Sequence, residues 1–273
     1  MKTKALVVLS GGQDSTTCLF WAKKQFDEVH AITFDYGQRH GIEIDAAGKV
    51  AEMAGVASHE VINVPNCLVS TSPLISSADL EQYADHDSMA ETIGDRVELT
   101  FVPMRNTLFM TIAFNRAVKL GCTEVITGIC QADNANYPDC TETFRNHFEE
   151  MANVSLGLEA GDPRYINLVA PLMNSSKAGT VYIAIGLPGC MEALAYSHTS
   201  YDGKYPPTDM NHANVLRAKG FEDAGVPDPL VVRAIDEGLM TWPDTRNYDQ
   251  IIKERSGISD DKPMLGQTFD PTV

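Results

Sequence analysis

Basic residues are scarce in this 273-residue chain, which carries 21 Lys and Arg against 37 Asp and Glu, for a formal net charge of −16. An acidic balance of that size argues against a broad surface for a phosphate backbone, so no direct nucleic-acid binding is expected. The six cysteines, Cys18, Cys67, Cys122, Cys130, Cys140 and Cys190, include no C-x-x-C pair. Scattered thiols of this kind fit reduced, mostly buried side chains. The seven histidines form no H-x-x-x-H or H-E-x-x-H pair, and the sequence taken alone offers no metal site. No apolar run approaches membrane-spanning length, and no charged, apolar, small-residue leader precedes the first strand, which is entered by Ala5. A cytoplasmic protein with a small-molecule substrate and no membrane partner is expected. Internal repeats and low-complexity tracts are also missing.

What is present is a 44% apolar content in a length that buries a substantial core, as one domain or one domain with an appendage. The organising stretch is Ser10-Gly11-Gly12-Gln13-Asp14-Ser15. It follows the apolar run Ala5 to Leu9 and precedes a helical stripe of Cys18, Leu19, Ala22 and Phe26. This reads as strand, tight turn, helix. Two glycines permit the turn, and the hydroxyls of Ser10 and Ser15 join the unpaired N–H groups of the first helical turn in a cup suited to phosphate. The usual P-loop is excluded, because no lysine follows the turn and the glycines are adjacent. S-G-G-Q-D-S instead resembles the pyrophosphatase loop of the adenine nucleotide alpha hydrolases, which cleave ATP between the alpha and beta phosphates.

Further strands are read at Val29 to Phe34, Glu60 to Val64 and Glu124 to Ile129. Helices are read through Ala46 to Ala54, from Arg105 through Leu120, around Phe144 to Met151, after the N-caps Ser175 and Ser176, and from Asp209 to Ala224. Strands alternating with helices predict an α/β fold: a parallel sheet of about five strands, helices on both faces, and the ligand at the carboxyl ends of the strands. A mainly helical C-terminal appendage is expected. The division drawn is 1–187 for the α/β domain and 188–273 for the appendage. Residues 65–100 form a long loop or lid insertion whose acids, among them Glu81 and Glu98, are expected on a solvated face.

Taken together the motifs resemble the 7-cyano-7-deazaguanine synthases of the queuosine pathway. The resemblance rests on S-G-G-Q-D-S-T-T-C-L from Ser10, F-D-Y-G-Q-R-H from Phe34, F-V-P-M-R-N from Phe101, Y-P-D-C from Tyr137, P-L-M from Pro171 and L-R-A-K-G from Leu216. It implies an ATP-dependent ligase that turns 7-carboxy-7-deazaguanine and ammonia into the nitrile through an adenylated acid, an amide and a second adenylation. It further implies ATP and Mg²⁺ as cofactors and a homodimer. Ser10, Gly11, Gly12, Asp14 and Ser15 look like the pyrophosphate cradle, within a nucleotide set of Leu9, Gln13, Phe34, Asp35, Arg105 and Gly128. Ser10, Asp14, Ser15, Arg105 and Lys177 are the catalytic candidates. Tyr36, Gln38, Arg39, His40, Asn106, Asp133, Tyr137, Asp139 and Lys177 are the substrate-binding candidates. For Asp14 an N-terminal helical acid, and for Asp139 a turn residue, remain the structural alternatives.

The chain departs from that family where four zinc cysteines are expected, since Ser200, Thr208, Asn211 and Asn214 align there. Hydroxyls and amides are poor zinc ligands, so zinc is expected to be absent and hydrogen bonds among these side chains to hold the segment. Gln131, Thr141 and Gly179 stand where the family often carries charge. These departures leave open a divergent enzyme that stops at the amide, or one that joins the activated acid to another amine such as a protein N-terminus. A non-catalytic nucleotide-binding protein is the alternative from another class. A tRNA-thiolating relative is disfavoured by the acidity and the lone thiols.

Overall fold

A computed structural model describes residues 2–38, 41–132 and 136–256. Arg39, His40 and Asp133, three of the expected substrate contacts, lie outside the described residues. Five strands, β1 (Lys4–Val8), β2 (Glu28–Asp35), β3 (Ser58–Asn63), β4 (Glu124–Ile126) and β5 (Asn167–Val169), form one sheet in the order β3-β2-β1-β4-β5. Every pairing is parallel, with Ala5 opposite both Val29 and Glu124, and Glu124 opposite Asn167. The fold is therefore the expected α/β architecture.

Alternation along the strands divides the core in two. Ala5, Val7, Val29, Ala31 and Ile126 face α1 (Gln13–Gln25), α2 (Ile42–Ala54), α6 (Lys177–Ile185) and α7 (Cys190–Leu194). Leu6, Ile32, Phe34, Val125 and Leu168 face α4 (Arg105–Leu120) and α5 (Glu142–Ser155). Near-continuous apolar strands are what a sheet covered on both sides requires. Cys190, Ala193 and Leu194 of α7 and Phe221 of α8 (His212–Ala224) belong to the first of these cores. The chain continues through α9 (Pro229–Asp236) and α10 (Asp249–Ser256).

Residues 65–100 are not structureless. They contain α3 (His86–Ile93), opened by a capping box in which Ser88 N–H donates to Asp85 Oδ1 at 2.8 Å and Asp85 N–H donates to Ser88 Oγ at 3.0 Å. Met89 and Ile93 pack with Tyr83 against Val215 and Leu216 of α8. Two of the acids depart from the expected solvated face. Glu98 is only 2% exposed and accepts from the Thr100 backbone N–H at 2.7 Å, while Glu81 pairs with Arg96 at 2.5 Å.

Where thiolates are missing, the hydrogen bonds converge on a carboxylate that sequence reasoning did not single out. Asp209 accepts from Ser200 Oγ at 2.5 Å and from the amides of Asn211 and Asn214. Among the described residues, no group of three or more His, Cys, Asp or Glu is arranged to hold a metal ion. No helix among them is long and apolar enough to cross a membrane.

Candidate functional site

The strand order reverses between β1 and β4, so a crevice opens beyond their carboxyl ends. The Ser10 to Ser15 turn leaves β1 there, and Gly128 follows β4. Gly11 adopts φ +85°, and a Cβ on it would lie 2.4 Å from the Glu43 carbonyl oxygen. A Cβ on Gly128 would approach Ser15 N to 3.1 Å. Glycine at both places lets α2 and the β4 end press against the turn. Ser10 Oγ and Ser15 Oγ lie 3.0 Å apart, and Ser15 Oγ donates to Gly12 O at 3.2 Å. Gln13 Nε2, Asp14 Oδ1 and Thr16 Oγ1 are buried without a hydrogen-bond partner. A concave turn at a helix N-terminus presents backbone donors of the kind that can receive an oxyanion, whereas the unpartnered Asp14 Oδ1 can only accept.

This turn floors a cavity of about 570 Å³ lined by Leu9, Ser10, Gly12, Gln13, Asp14 and Ser15. From the candidate set, Phe34, Tyr36, Gln38, Arg105, Asn106, Gly128, Tyr137 and Lys177 also line it. Gly11, Asp35 and Asp139 do not. Gly11 is covered by α2, and Asp35 Oδ1 accepts from Gly37 N–H at 3.3 Å, an Asx turn closing the strand end. Asp139 sits in the short 3-10 turn Pro138–Cys140, buried, its carboxyl pushed up by that burial against the pull of Arg105. Its carbonyl accepts from Asn106 Nδ2 at 3.4 Å.

Two candidates on the wall have their polar heads engaged by the protein. Gln38 donates from Nε2 to Phe34 O at 3.2 Å and accepts from Tyr36 N–H at 2.9 Å, bracing the end of β2. Tyr137 bonds through its hydroxyl with Thr100 Oγ1 and donates to Glu98 Oε2 at 3.3 Å, tying the cavity rim to the 65–100 segment. The Phe34 ring stacks on Phe109 at 4.1 Å and 2°, leaving a flat apolar wall beside the turn.

Arg105 opens α4 behind Met104, which takes a left-handed φ of 65°. A cation at a helix N-terminus opposes the dipole, and burial works against its charge. Tyr36, Tyr137, Tyr201 and Asp139 around it outweigh burial and raise its pKa above the ordinary guanidinium value. Lys177, first residue of α6, donates to Asp14 Oδ2 at 2.6 Å, which places it beside the turn.

Among the wall residues that escaped sequence reasoning are Glu43, Tyr201 and His212. Burial pushes the Glu43 carboxyl up to about 7, partly opposed by Arg105. His212, 4% exposed with Nε2 unpartnered, is driven down to about 4 by burial, with Lys177 and His86 adding to the effect. Glu43 stands three residues beyond the F-D-Y-G-Q-R-H stretch and reads as an ordinary acid in a first helical turn. His212 follows an N-cap asparagine, and Tyr201 lies in a Gly- and Pro-rich stretch with no periodicity. Gln131, expected to mark lost charge, accepts from Glu142 N–H at 3.1 Å and donates to Asn174 at 2.6 Å, while Thr141 caps α5. Both residues also line the cavity.

The chain is 46% identical over 229 residues to the 7-cyano-7-deazaguanine synthase of Gloeobacter violaceus, a match covering 83% of this chain and 95% of the relative. It is 47% identical over 231 residues to the same-named protein of Laribacter hongkongensis, covering 84% and 94%. Among solved structures, a 4-thiouridine synthetase–RNA complex with bound ATP matches 87% of this chain and 53% of that chain at 16% identity and a TM-score of 0.42, too loose a likeness to argue from. The family model described as "Queuosine biosynthesis protein QueC" matches residues 4–225. With the parallel sheet, the glycine turn at its switch point and these matches in hand, the chain belongs to the QueC family of queuosine biosynthesis proteins.

Proposed function

We propose that this protein is an ATP-dependent carbon–nitrogen ligase that activates the carboxylate of 7-carboxy-7-deazaguanine and, with ammonia, forms 7-cyano-7-deazaguanine by way of the amide. The observation that carries the reading is the cavity in which the Ser10 to Ser15 turn meets a flat aromatic wall and a half-buried cation, Arg105. A carboxylate is a poor electrophile. Its oxygen attacks the alpha phosphorus of ATP, the bond to the bridging oxygen breaks, and pyrophosphate departs with the electron pair. Donors held in place beforehand stabilise that developing charge. The N–H groups at the start of α1, Ser10, Ser15 and Lys177 receive pyrophosphate in this scheme, and Arg105 steadies the alpha phosphate or the substrate acid. The wall of Phe34 and Phe109 accommodates a planar base, with Tyr36, Asn106 and Tyr137 lining the same cavity. Arg39, His40 and Asp133 belong to the same proposal by family pattern alone.

Mg²⁺ would neutralise phosphate charge, and Asp14 would hold it, because its buried Oδ1 has no hydrogen-bond partner. Residues 1–187 would be the ATP-pyrophosphatase-type unit and 188–273 an appendage whose Asp209 cluster substitutes for a metal knot. Substoichiometric zinc on metal analysis of the purified protein is the expected result, and stoichiometric zinc would contradict it. We also take the protein to be a cytoplasmic homodimer that handles small molecules rather than nucleic acid; Tyr182 and Ile185, exposed on α6, support a contact face there.

Purified protein incubated with Mg²⁺, ATP, 7-carboxy-7-deazaguanine and ammonium, followed by mass spectrometry of the base, tests the reading. Nitrile supports it. Amide alone indicates a specialised amide synthase. AMP without an ammonia-dependent base product redirects the search to another amine acceptor, such as a protein N-terminus. No AMP favours a non-catalytic nucleotide-binding protein.

A further inference from the structure

The cavity holds one carboxylate that the scheme above leaves unused. Glu43 lies in the first turn of α2, and that turn rests directly on the phosphate loop: a Cβ on Gly11 would meet the Glu43 carbonyl oxygen at 2.4 Å and Ala47 N at 2.8 Å. Glu43 lines the same cavity as the loop and Arg105 of α4. Among the described residues, its carboxylate makes no hydrogen bond and no ion pair within 4.0 Å, unlike Asp14, Glu81 and Glu98. Among the described residues, the charged and titratable groups that act on it electrostatically are Arg105 on α4, Tyr36 just beyond β2 and Tyr201 in the segment between α7 and α8. Burial chiefly pushes both tyrosine hydroxyls up, so of these described groups Glu43 is the one that changes charge near pH 7.

We propose that Glu43 is the general base that takes the proton shed by the nitrogen nucleophile in this cavity. The inference rests on the ligase reading. In the first half-reaction the ammonia lone pair forms a C–N bond to the activated acyl carbon. The C–O bond to AMP then breaks with its electron pair going to the phosphate oxygen, and the surplus N–H proton passes to the Glu43 carboxylate and on to solvent. In the second half, the N–H proton of the O-adenylated amide passes to the same carboxylate as AMP leaves and the C≡N bond completes. A nitrogen proton is lost at the same carbon each time, so one base at one position serves both. A carboxylate whose basicity is raised toward neutral pH by burial is stronger for this task than a solvated one, and still half ionised there.

The test compares the wild-type full chain with Glu43→Gln and Glu43→Asp. Acid-dependent pyrophosphate–ATP exchange reads the adenylation half, and ammonia-dependent product formation at fixed free ammonia reads the rest. For Glu43→Gln, product formation should fall about 100-fold or more while exchange falls less than about ten-fold, the split expected for a lost general base. The rise of the wild-type rate through a pH near 7 should vanish in Glu43→Gln and persist in Glu43→Asp. Equal losses in both halves, or a retained rise in Glu43→Gln, overturn the proposal. Retained exchange also shows that the variant is folded. Absence of exchange in the wild type overturns the ligase reading and the base with it.

Discussion

Lys177 Nζ donates to Asp14 Oδ2 at 2.6 Å across 163 residues of sequence, joining the first residue of α6 to the second of α1. Two helix N-termini meet at this pair. A lysine there opposes its own helix dipole, and the Asp14 carboxylate offsets that cost. Lys177→Met therefore removes the cation that, among the described residues, pairs with the phosphate turn at Asp14. Acid-dependent pyrophosphate–ATP exchange should fall about 100-fold or more. Lys177→Arg should restore little, because the planar fork does not fit a point-charge position. Unchanged exchange in Lys177→Met would remove Lys177 from the catalytic set.

Gly11 combines a left-handed φ of +85° with backbone from α2 inside contact distance. Gly11→Ala must move either the turn or the helix. A loss of at least about 2 kcal/mol in stability is expected, together with lost ATP binding by isothermal calorimetry. Gly37→Ala is the control, since it also has positive φ but open space around it. It should cost about 1 kcal/mol and leave nucleotide binding intact.

Arg217 and Asp228 form a buried bidentate pair, Nε to Oδ2 at 2.6 Å and Nη2 to Oδ1 at 2.8 Å. Arg217 also donates to Ser197, Thr199 and Leu194 O, and Asp228 caps α9 through Leu230 N–H. Removing one partner strands the other charge. Arg217→Met should lower the unfolding free energy by about 3–5 kcal/mol in urea, and Asp228→Asn somewhat less. The double variant should lose less than the sum of the two.

His212 makes stability depend on acid. Its folded pKa is lowered from 6.5 to about 4, so between those values the unfolded chain binds more protons than the folded one. The contribution is complete above pH 6.5 and is lost as pH falls toward 4. Between pH 7.5 and 5, wild type should lose about 2 kcal/mol more than His212→Gln in urea unfolding. Parallel losses in the two proteins would show that His212 accepts its proton without strain.

The legible parts of this molecule were those set by neighbours in sequence. The apolar run into Ser10-Gly11-Gly12 and the stripe behind it gave strand, turn and helix, because glycine positions and period are local properties. The N-cap at Ser176 was readable for the same reason. β5, with three residues, is too short to show a period. The hydrogen bond from Gly37 N–H to Asp35 and the burial of Asp139 in a short turn depend on tertiary packing and could not be read from the motifs that carry them. Glu43, Tyr201 and His212 meet in one cavity only through topology, and the Asp14–Lys177 contact is of the same kind. Asp209 shows the remaining gap: the four aligned polar residues drew attention, while the carboxylate that organises three of them lay between.

The most direct measurement of the central claim is the stoichiometry of AMP and base product when the purified protein turns over 7-carboxy-7-deazaguanine with ATP, Mg²⁺ and ammonium. The account predicts one AMP and one pyrophosphate for each amide and a second of each for every nitrile, with no AMP when the acid is omitted. Release of ADP and phosphate, or of AMP independent of the acid, would contradict it.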